Sequence, residues 1–292
     1  MVKFFKRDAV LGYTLTLPLI IFTIGMLIYP FTSAIFLSFQ DKLVGRPPTF
    51  IGLDNYIRLF TADPIFVRVL RNTLIYTTVT VLFKLIIGMG MALTLNQEFR
   101  FRGIVRGVML LPYVVPDLVV ALTWRWIFDA TFGVFNYILK SLDLIKINIA
   151  WLSNAWTAMG AVMIANIWRG FPFFGICLLA GMQAIPSEHY EAAEMDGANI
   201  FQRFWFITVP ALKAVIMVAV VLSTIWTFND FTLVYIMTGG APSDQTHIFS
   251  TYTYLLSFKY NRMGYAMALT VVMLPILIVL LMTMAPRMFR QE

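Results

Sequence analysis

The sequence predicts an all-α membrane protein with six transmembrane helices, and three observations carry that reading. Of 292 residues, 60% are hydrophobic and only 13% are charged, whereas soluble domains carry about a quarter charged residues. The apolar residues gather into six runs, each long enough for the roughly 20-residue helix that crosses a hydrocarbon core. No run alternates at period two, so the crossing elements are helices rather than barrel strands.

The runs fall at about 10–37, 72–95, 105–127, 157–182, 211–236 and 264–285. The first is too long for the apolar part of a signal peptide, and no small-residue cleavage site follows it. Residues 40–71 are expected to form a long outer loop between the first and second spans. Within it, "LDNYIRLF" sets Leu53, Tyr56, Ile57 and Phe60 at helical spacing, which predicts a short amphipathic helix. With the N terminus inside, ten Lys and Arg residues fall on the inner side and nine on the outer. The count decides little. Density near the span ends does more: "KFFKR" precedes the first span and "RFRGIVR" fills the short second loop, so both termini are expected in the cytosol. Trp124, Trp126, Trp151 and Trp156 cluster near the outer ends of the third and fourth spans, where an aromatic belt is the plain reading. No repeat and no soluble domain is evident, so residues 1–292 read as one transmembrane domain.

Several chemistries drop out. The single cysteine, Cys177, excludes a disulfide within the chain. His189 and His247 fall on opposite sides of the expected bilayer, so no shared metal is expected. No G-x-x-x-x-G-K-[ST] loop is present to cradle nucleotide phosphates. No Ser/His/Asp arrangement stands out, and nothing points to nucleic acid. Energy for uphill work would come from another polypeptide or from an ion gradient.

Between the fourth and fifth spans lies the polar segment 183–210. In "IPSEHYEAAEMDG", Pro186 and Ser187 start a helix, Glu188 and Glu191 sit early in it, and Gly197 stops it. Asn199 caps a second helix carrying Ile200, Phe201, Phe204 and Trp205, and Pro210 turns the chain into the fifth span. Ala192 and Ala193 leave one face nearly bare, which suits either close approach by another surface or an ordinary solvated loop.

Within the spans, ionisable side chains are functional candidates by default. Lys84 lies roughly 11 residues from either end of its expected helix, about 16 Å at 1.5 Å per residue. Arg169 is similarly central in "NIWRGFPFF", where Gly170 and Pro172 are expected to loosen the helix. Asp230 lies in "WTFNDF", with Asn166, Trp226 and Asn229 as neighbours in sequence. Two readings compete. Asp230 neutralises Arg169 or Lys84 and merely holds the bundle, or these groups bond sugar hydroxyls while Trp226 stacks on a pyranose face. Deep cations also suit an anionic sugar or a polyol phosphate.

The spacing Glu191-Ala192-Ala193, three residues, Gly197, nine residues, Ile207, one residue, Val209-Pro210 resembles the EAA signature of ABC importer permeases. Valine stands where that family usually has leucine before the proline. "LPYVVPDLVVALTWRWIF", "FIGLDNY" with "DPIFVRVLRNTLIYT", and "IMTGGAPSDQT" resemble the carbohydrate-importing, maltose-permease-like branch. The resemblance implies a type I importer permease (MetI-like) fold in a bacterial cell inner membrane. It implies that Glu191, Ala192, Ala193, Asp196 and Gly197 form a coupling helix docking on a separate ATPase. Partners would be a second permease subunit, commonly a different chain, two ATPase subunits and a soluble substrate-binding protein met by Gly239, Gly240 and Thr246. ATP and magnesium would be bound by those partners, leaving this chain non-catalytic and without a cofactor. The rival classes are an ion-coupled secondary transporter using Asp117 or Asp230, whose paired inverted repeats are not found here, and a membrane scaffold that passes nothing.

Overall fold

The computed structural model describes residues 7–284, with side chains described for 12–282. Helices α1 (Arg7–Thr23) and α2 (Tyr29–Ser38) are joined by a π turn at Ile24–Ile28. A two-strand ribbon, β1 (Gln40–Asp41) and β2 (Thr49–Phe50), leads to α3 (Asp54–Thr61). Next come α4 (Pro64–Asn96), α5 (Arg102–Val114), α6 (Asp117–Ile127), α7 (Val134–Ser141) and α8 (Ala155–Gln183). The polar segment holds α9 (Ser187–Met195), α10 (Ile200–Arg203) and α11 (Val209–Ala211), followed by α12 (Lys213–Phe228) and α13 (Thr232–Met237). Helices α14 (Phe249–Tyr254) and α15 (Met263–Met284) close the described chain.

Contacts group the chain into two compact units. The first takes residues up to Asp63 together with Thr253–Leu274. In it, the π turn between α1 and α2 stands immediately before Pro30. Tyr29 bonds to the Ile24 carbonyl five residues back, a register slip that accommodates a ring unable to donate and prone to clash with the preceding turn. The amphipathic helix is present as α3, but its buried side differs from the expected stripe. Leu59 and Asn55 are buried, Tyr56 is half-buried, and Leu53, Ile57 and Phe60 are exposed. The cause is polar: Asn55 Nδ2 donates to the carbonyls of Ser38 and Gln40, both at 2.9 Å. The Ser38 carbonyl ends α2 and the Gln40 carbonyl lies in β1, and each needs a donor. Tyr56 Oη reaches Ser38 Oγ at 2.6 Å and fixes the same rotation.

The second unit takes Pro64–Tyr252 and the chain from Pro275 onward. Its axis is the pair α4 and α8. Helix α4 begins at Pro64 rather than near 72, because Phe66, Val69, Thr73 and Tyr76 continue a buried helical stripe through the polar stretch around Arg68 and Arg71. Gly88 lets the two backbones meet: a Cβ there would overlap Phe174 Cβ and come within 2.9 Å of the Phe171 carbonyl and the Gly175 nitrogen. Met91, Ala92, Leu95, Phe174, Leu178 and Met182 pack around that crossing, the use of small residues that close helix approach in a bilayer requires. Gly88→Val is therefore expected to destabilise the unit by about 1–3 kcal/mol through overpacking, read as a lower melting temperature in detergent. Gly90, whose missing side chain faces open space, is the control position.

Two of the expected spans are broken. The third, expected over 105–127, is α5 and α6 meeting at 94°. Pro116 forces Val115 into an extended conformation (φ −70°, ψ 131°) and caps α6, as the residue before a proline is driven out of the helical region. The approach to the fifth bends by 66° between residues 200–211 and 213–228. By contrast α8 runs unbroken through Pro172, so the expected loosening at Gly170 and Pro172 leaves the helix intact. Among the described residues, four helices are long and apolar enough to cross a membrane, or up to six if each bent pair makes one crossing. Of the four tryptophans read as a belt, Trp126 and Trp156 are exposed. Trp124 stacks on Phe128, and Trp151 packs on Phe128 and Phe135 while its Nε1 donates to Asn136 Oδ1 at 2.9 Å.

Candidate functional site

A cavity of about 670 Å³ opens among α4, α5, α6, α8 and α12 in the second unit. All six pathway candidates line it: Lys84, Asn166, Arg169, Trp226, Asn229 and Asp230. Helical spacing explains the convergence. Asn166 and Arg169 stand at i, i+3 on α8, Trp226 and Asn229 at i, i+3 at the end of α12, and Lys84 lies two turns along α4 from Tyr76.

The charges pair differently from the sequence expectation. Arg169 forms its ion pair with Asp117, at the start of α6, and not with Asp230. Both side chains are about a third or more exposed to the cavity, so screening keeps such a pair modest. Asp230 Oδ2 accepts from the Tyr76 hydroxyl at 2.6 Å and from Asn166 Nδ2 at 2.7 Å. The Asp230 backbone carbonyl accepts from Ser250 Oγ at 2.5 Å, so the carboxylate is held by its main chain as well. Lys84, buried in α4, donates to Thr227 Oγ1 at 2.9 Å. Gly170 gains a role unrelated to loosening: a Cβ there would occupy the space of the Lys84 side chain.

Aromatic rings complete the wall. Trp226 is half exposed and meets Phe173 edge-on at 5.0 Å, and Phe173 stacks against Tyr113 at 6.3 Å. Asn229 lines the cavity while its Nδ2 donates to the Ile225 carbonyl at 2.8 Å. The site thus offers two cations, two carboxylates, amides and rings around one concavity, the mixture that orients a polar, partly apolar guest. Tyr76, Tyr113, Phe173 and Thr227 were not singled out by the sequence, and Asp117 was weighed only as a proton-coupling group. The findable signal was the two-turn spacing from Tyr76 to Lys84 and the position of Asp117 directly after Pro116.

The polar segment forms a second candidate site with strong local definition. Helix α9 ends in a paired C-terminal turn: Gly197 N–H bonds to the Glu194 carbonyl at 3.0 Å and Ala198 N–H to the Ala193 carbonyl at 2.9 Å, with Gly197 at φ +77°. Asn199 and Gln202 then form a reciprocal capping box that starts α10. Arg203 bonds Glu194 at 2.8 Å and Tyr190 meets Thr208 at 2.9 Å, tying the two helices together. Glu191, Ala192, Asp196 and Gly197 are exposed and Ala193 is half-buried. Met195, Ile200, Phe201 and Phe206 stand out around them, each more than 70% exposed, an apolar set that water alone would not favour.

The third candidate set lies in the turn after α13. Thr246 is fully buried, its hydroxyl 2.7 Å from the Ala241 carbonyl and 2.9 Å from Thr238 Oγ1. Gly240 is also buried, at φ +93°, because the His247 ring fills the place of a side chain. Asn72 clamps the same turn to α4 through the carbonyls of Gln245 (2.7 Å) and His247 (3.1 Å). Gly240 and Thr246 therefore shape the turn instead of presenting a surface, and Gly239, at φ +61°, is half-buried. The exposed residues there are Ala241, Ser243 and Gln245.

Comparison with known proteins agrees with this architecture. Residues 84–289 match the family described as the binding-protein-dependent transport system inner membrane component. The trehalose/maltose transport system permease protein MalF of Thermococcus litoralis is 37% identical over 88% of this chain and 85% of its own. The sulfoquinovosyl glycerol transport system permease protein SmoG of Agrobacterium fabrum is 35% identical over 91% of this chain and 86% of its own. A chain from the crystal structure of a bacterial ABC transporter involved in the import of the acidic polysaccharide alginate superposes with a TM-score of 0.85. That chain is 25% identical, with 98% of each chain covered.

Proposed function

The chain belongs to the family of binding-protein-dependent transport system inner membrane components, and from that premise we propose that it is the permease subunit of an ATP-driven importer that takes up a sugar or sugar derivative. The observation that carries the reading is the 670 Å³ cavity, where amides, hydroxyls and carboxylates face the rings of Trp226, Phe173 and Tyr113. Sugars present hydroxyls around their edges and apolar C–H faces, and such a wall suits both. Lys84 and Arg169 are offset by Asp117 and Asp230. That formal neutrality favours an uncharged sugar over an anionic sugar or a polyol phosphate.

In this reading ATP and magnesium are held by two ATPase subunits, and a soluble binding protein delivers the cargo. A second permease chain of related fold, different in sequence, completes the pathway, and this chain itself catalyses nothing. Both termini face the cytosol. The segment from Glu191 to Gly197 is the coupling element, supported by its exposure and its two fixed ends. The exposed Ala241, Ser243 and Gln245, next to Gly239, offer the surface toward the binding protein. A proton-coupled mechanism is disfavoured because Asp117 and Asp230 are both already engaged.

The test is transport by the whole complex in sealed vesicles, with trehalose, maltose and glycosyl glycerols as trial cargo. Uptake is expected to require ATP and the loaded binding protein, and to survive collapse of ion gradients by ionophores. Uptake that persists without ATP and stops with the ionophore would overturn the reading. A complex that hydrolyses ATP without moving any of these cargoes would overturn the sugar assignment alone.

A further inference from the structure

A second cavity, of about 260 Å³, lies between the first turns of α4 and α8. Its rim is cationic. Arg68 and Arg71 stand at i, i+3 on one face of α4, and no carboxylate lines the cavity. Among the described residues neither guanidinium belongs to an ion pair. Arg68 Nη1 reaches only the Ser243 carbonyl, at 3.5 Å, and Arg71 lies 5.9 Å from the centre of the exposed Trp156 ring. Asn72 and Gln245 also line it, joined by a 2.7 Å bond from Asn72 Nδ2 to the Gln245 carbonyl, and the rest of the wall is apolar. Ile75 lies one turn beyond Arg71, and Met159 and Met163 lie one and two turns beyond Trp156. Gly160 leaves open space where a side chain would stand.

A paired cationic rim, an interfacial tryptophan and an apolar trough along the span match an amphiphile with an anionic head. A soluble anion or an acidic side chain of another protein would satisfy the rim and leave the trough bare. We propose that this groove binds an anionic phospholipid, its phosphate between Arg68 and Arg71 and one acyl chain along Ile75, Met159, Gly160 and Met163.

The test places the full chain in phosphatidylcholine vesicles and adds phosphatidylglycerol brominated on its acyl chain, which quenches nearby tryptophan. The Trp156 share of the signal is the difference between the parent protein and Trp156→Phe. Quenching of that share is expected at roughly 10-fold lower mole fraction of brominated phosphatidylglycerol than of brominated phosphatidylcholine, two guanidiniums each attracting the headgroup. The preference is expected to vanish in Arg68→Gln/Arg71→Gln and to persist in Arg68→Lys/Arg71→Lys. Gly160→Leu, which fills the trough and changes no charge, should also remove it. Equal quenching by the two lipids, as a protein-docking role would give, would overturn the proposal. So would a preference that survives the double glutamine variant, or one that millimolar glycerol phosphate abolishes, the latter marking a site for free phosphate.

Discussion

Gly197→Val is expected to abolish ATP-driven uptake while leaving the chain folded and its complex assembled. Gly197 has open space around its Cα, so a side chain clashes with nothing. The obstacle is the backbone. Its φ of +77° closes the end of α9, and a residue with a Cβ pays about 1–2 kcal/mol there, a β-branched one more. The segment escapes that strain by unwinding the turn, which frees α9 from α10 and loosens the link through Glu194 and Arg203. A lever whose end can give no longer transmits a displacement, so hydrolysis by the partner subunits would continue without transport. Ala193→Arg tests the same element by another route, placing a long cation on the bare side of α9 without altering the turn. Co-purification of the ATPase subunits checks assembly, and uptake per ATP hydrolysed checks coupling. Normal uptake in both variants would remove the coupling role from this segment.

Asp230→Ala is expected to cost both stability and transport. The carboxylate accepts from Tyr76 and Asn166, each buried, and truncation leaves two buried donors unsatisfied at about 1–3 kcal/mol each. Asp230→Asn keeps an acceptor oxygen and should recover part of the melting temperature. The pairing makes a sharper claim. Combining Asp230→Ala with Asn166→Ala is expected to lose less than the sum of the single losses, since each single change already breaks the shared bond. Arg169→Ala should couple to Asp117→Ala more strongly than to Asp230→Ala, because the ion pair lies between Arg169 and Asp117. Uptake and thermal melting of these single and double variants measure both statements. A coupling centred on Arg169 and Asp230 would contradict the geometry described above.

Much of the local architecture was legible from residue order. Composition and run length gave an all-helical membrane chain, since water-free surroundings leave few ways to satisfy a backbone. The ends of α9 and α10 were readable from Gly197 and Asn199, whose preferences are local. Pro116 was visible too, but its 94° consequence was not, because an apolar run on both sides of a proline reads the same whether the chain bends or merely kinks. The buried face of α3 was misjudged for a related reason. Apolar spacing predicts which stripe clusters, whereas Asn55 was turned inward by two carbonyls supplied from elsewhere in the chain.

By itself, then, the sequence determined the class of protein, the candidate residues of the central cavity and the cap chemistry of the polar segment. Each follows from composition or from spacing along one helix. Only the tertiary structure decided which charges meet. Arg169 lies 52 residues from Asp117 and Asp230 lies 64 from Asn166, and separations of that kind are bridged by helix packing. Packing in turn hinges on where small residues such as Gly88 and Gly170 let neighbouring side chains in.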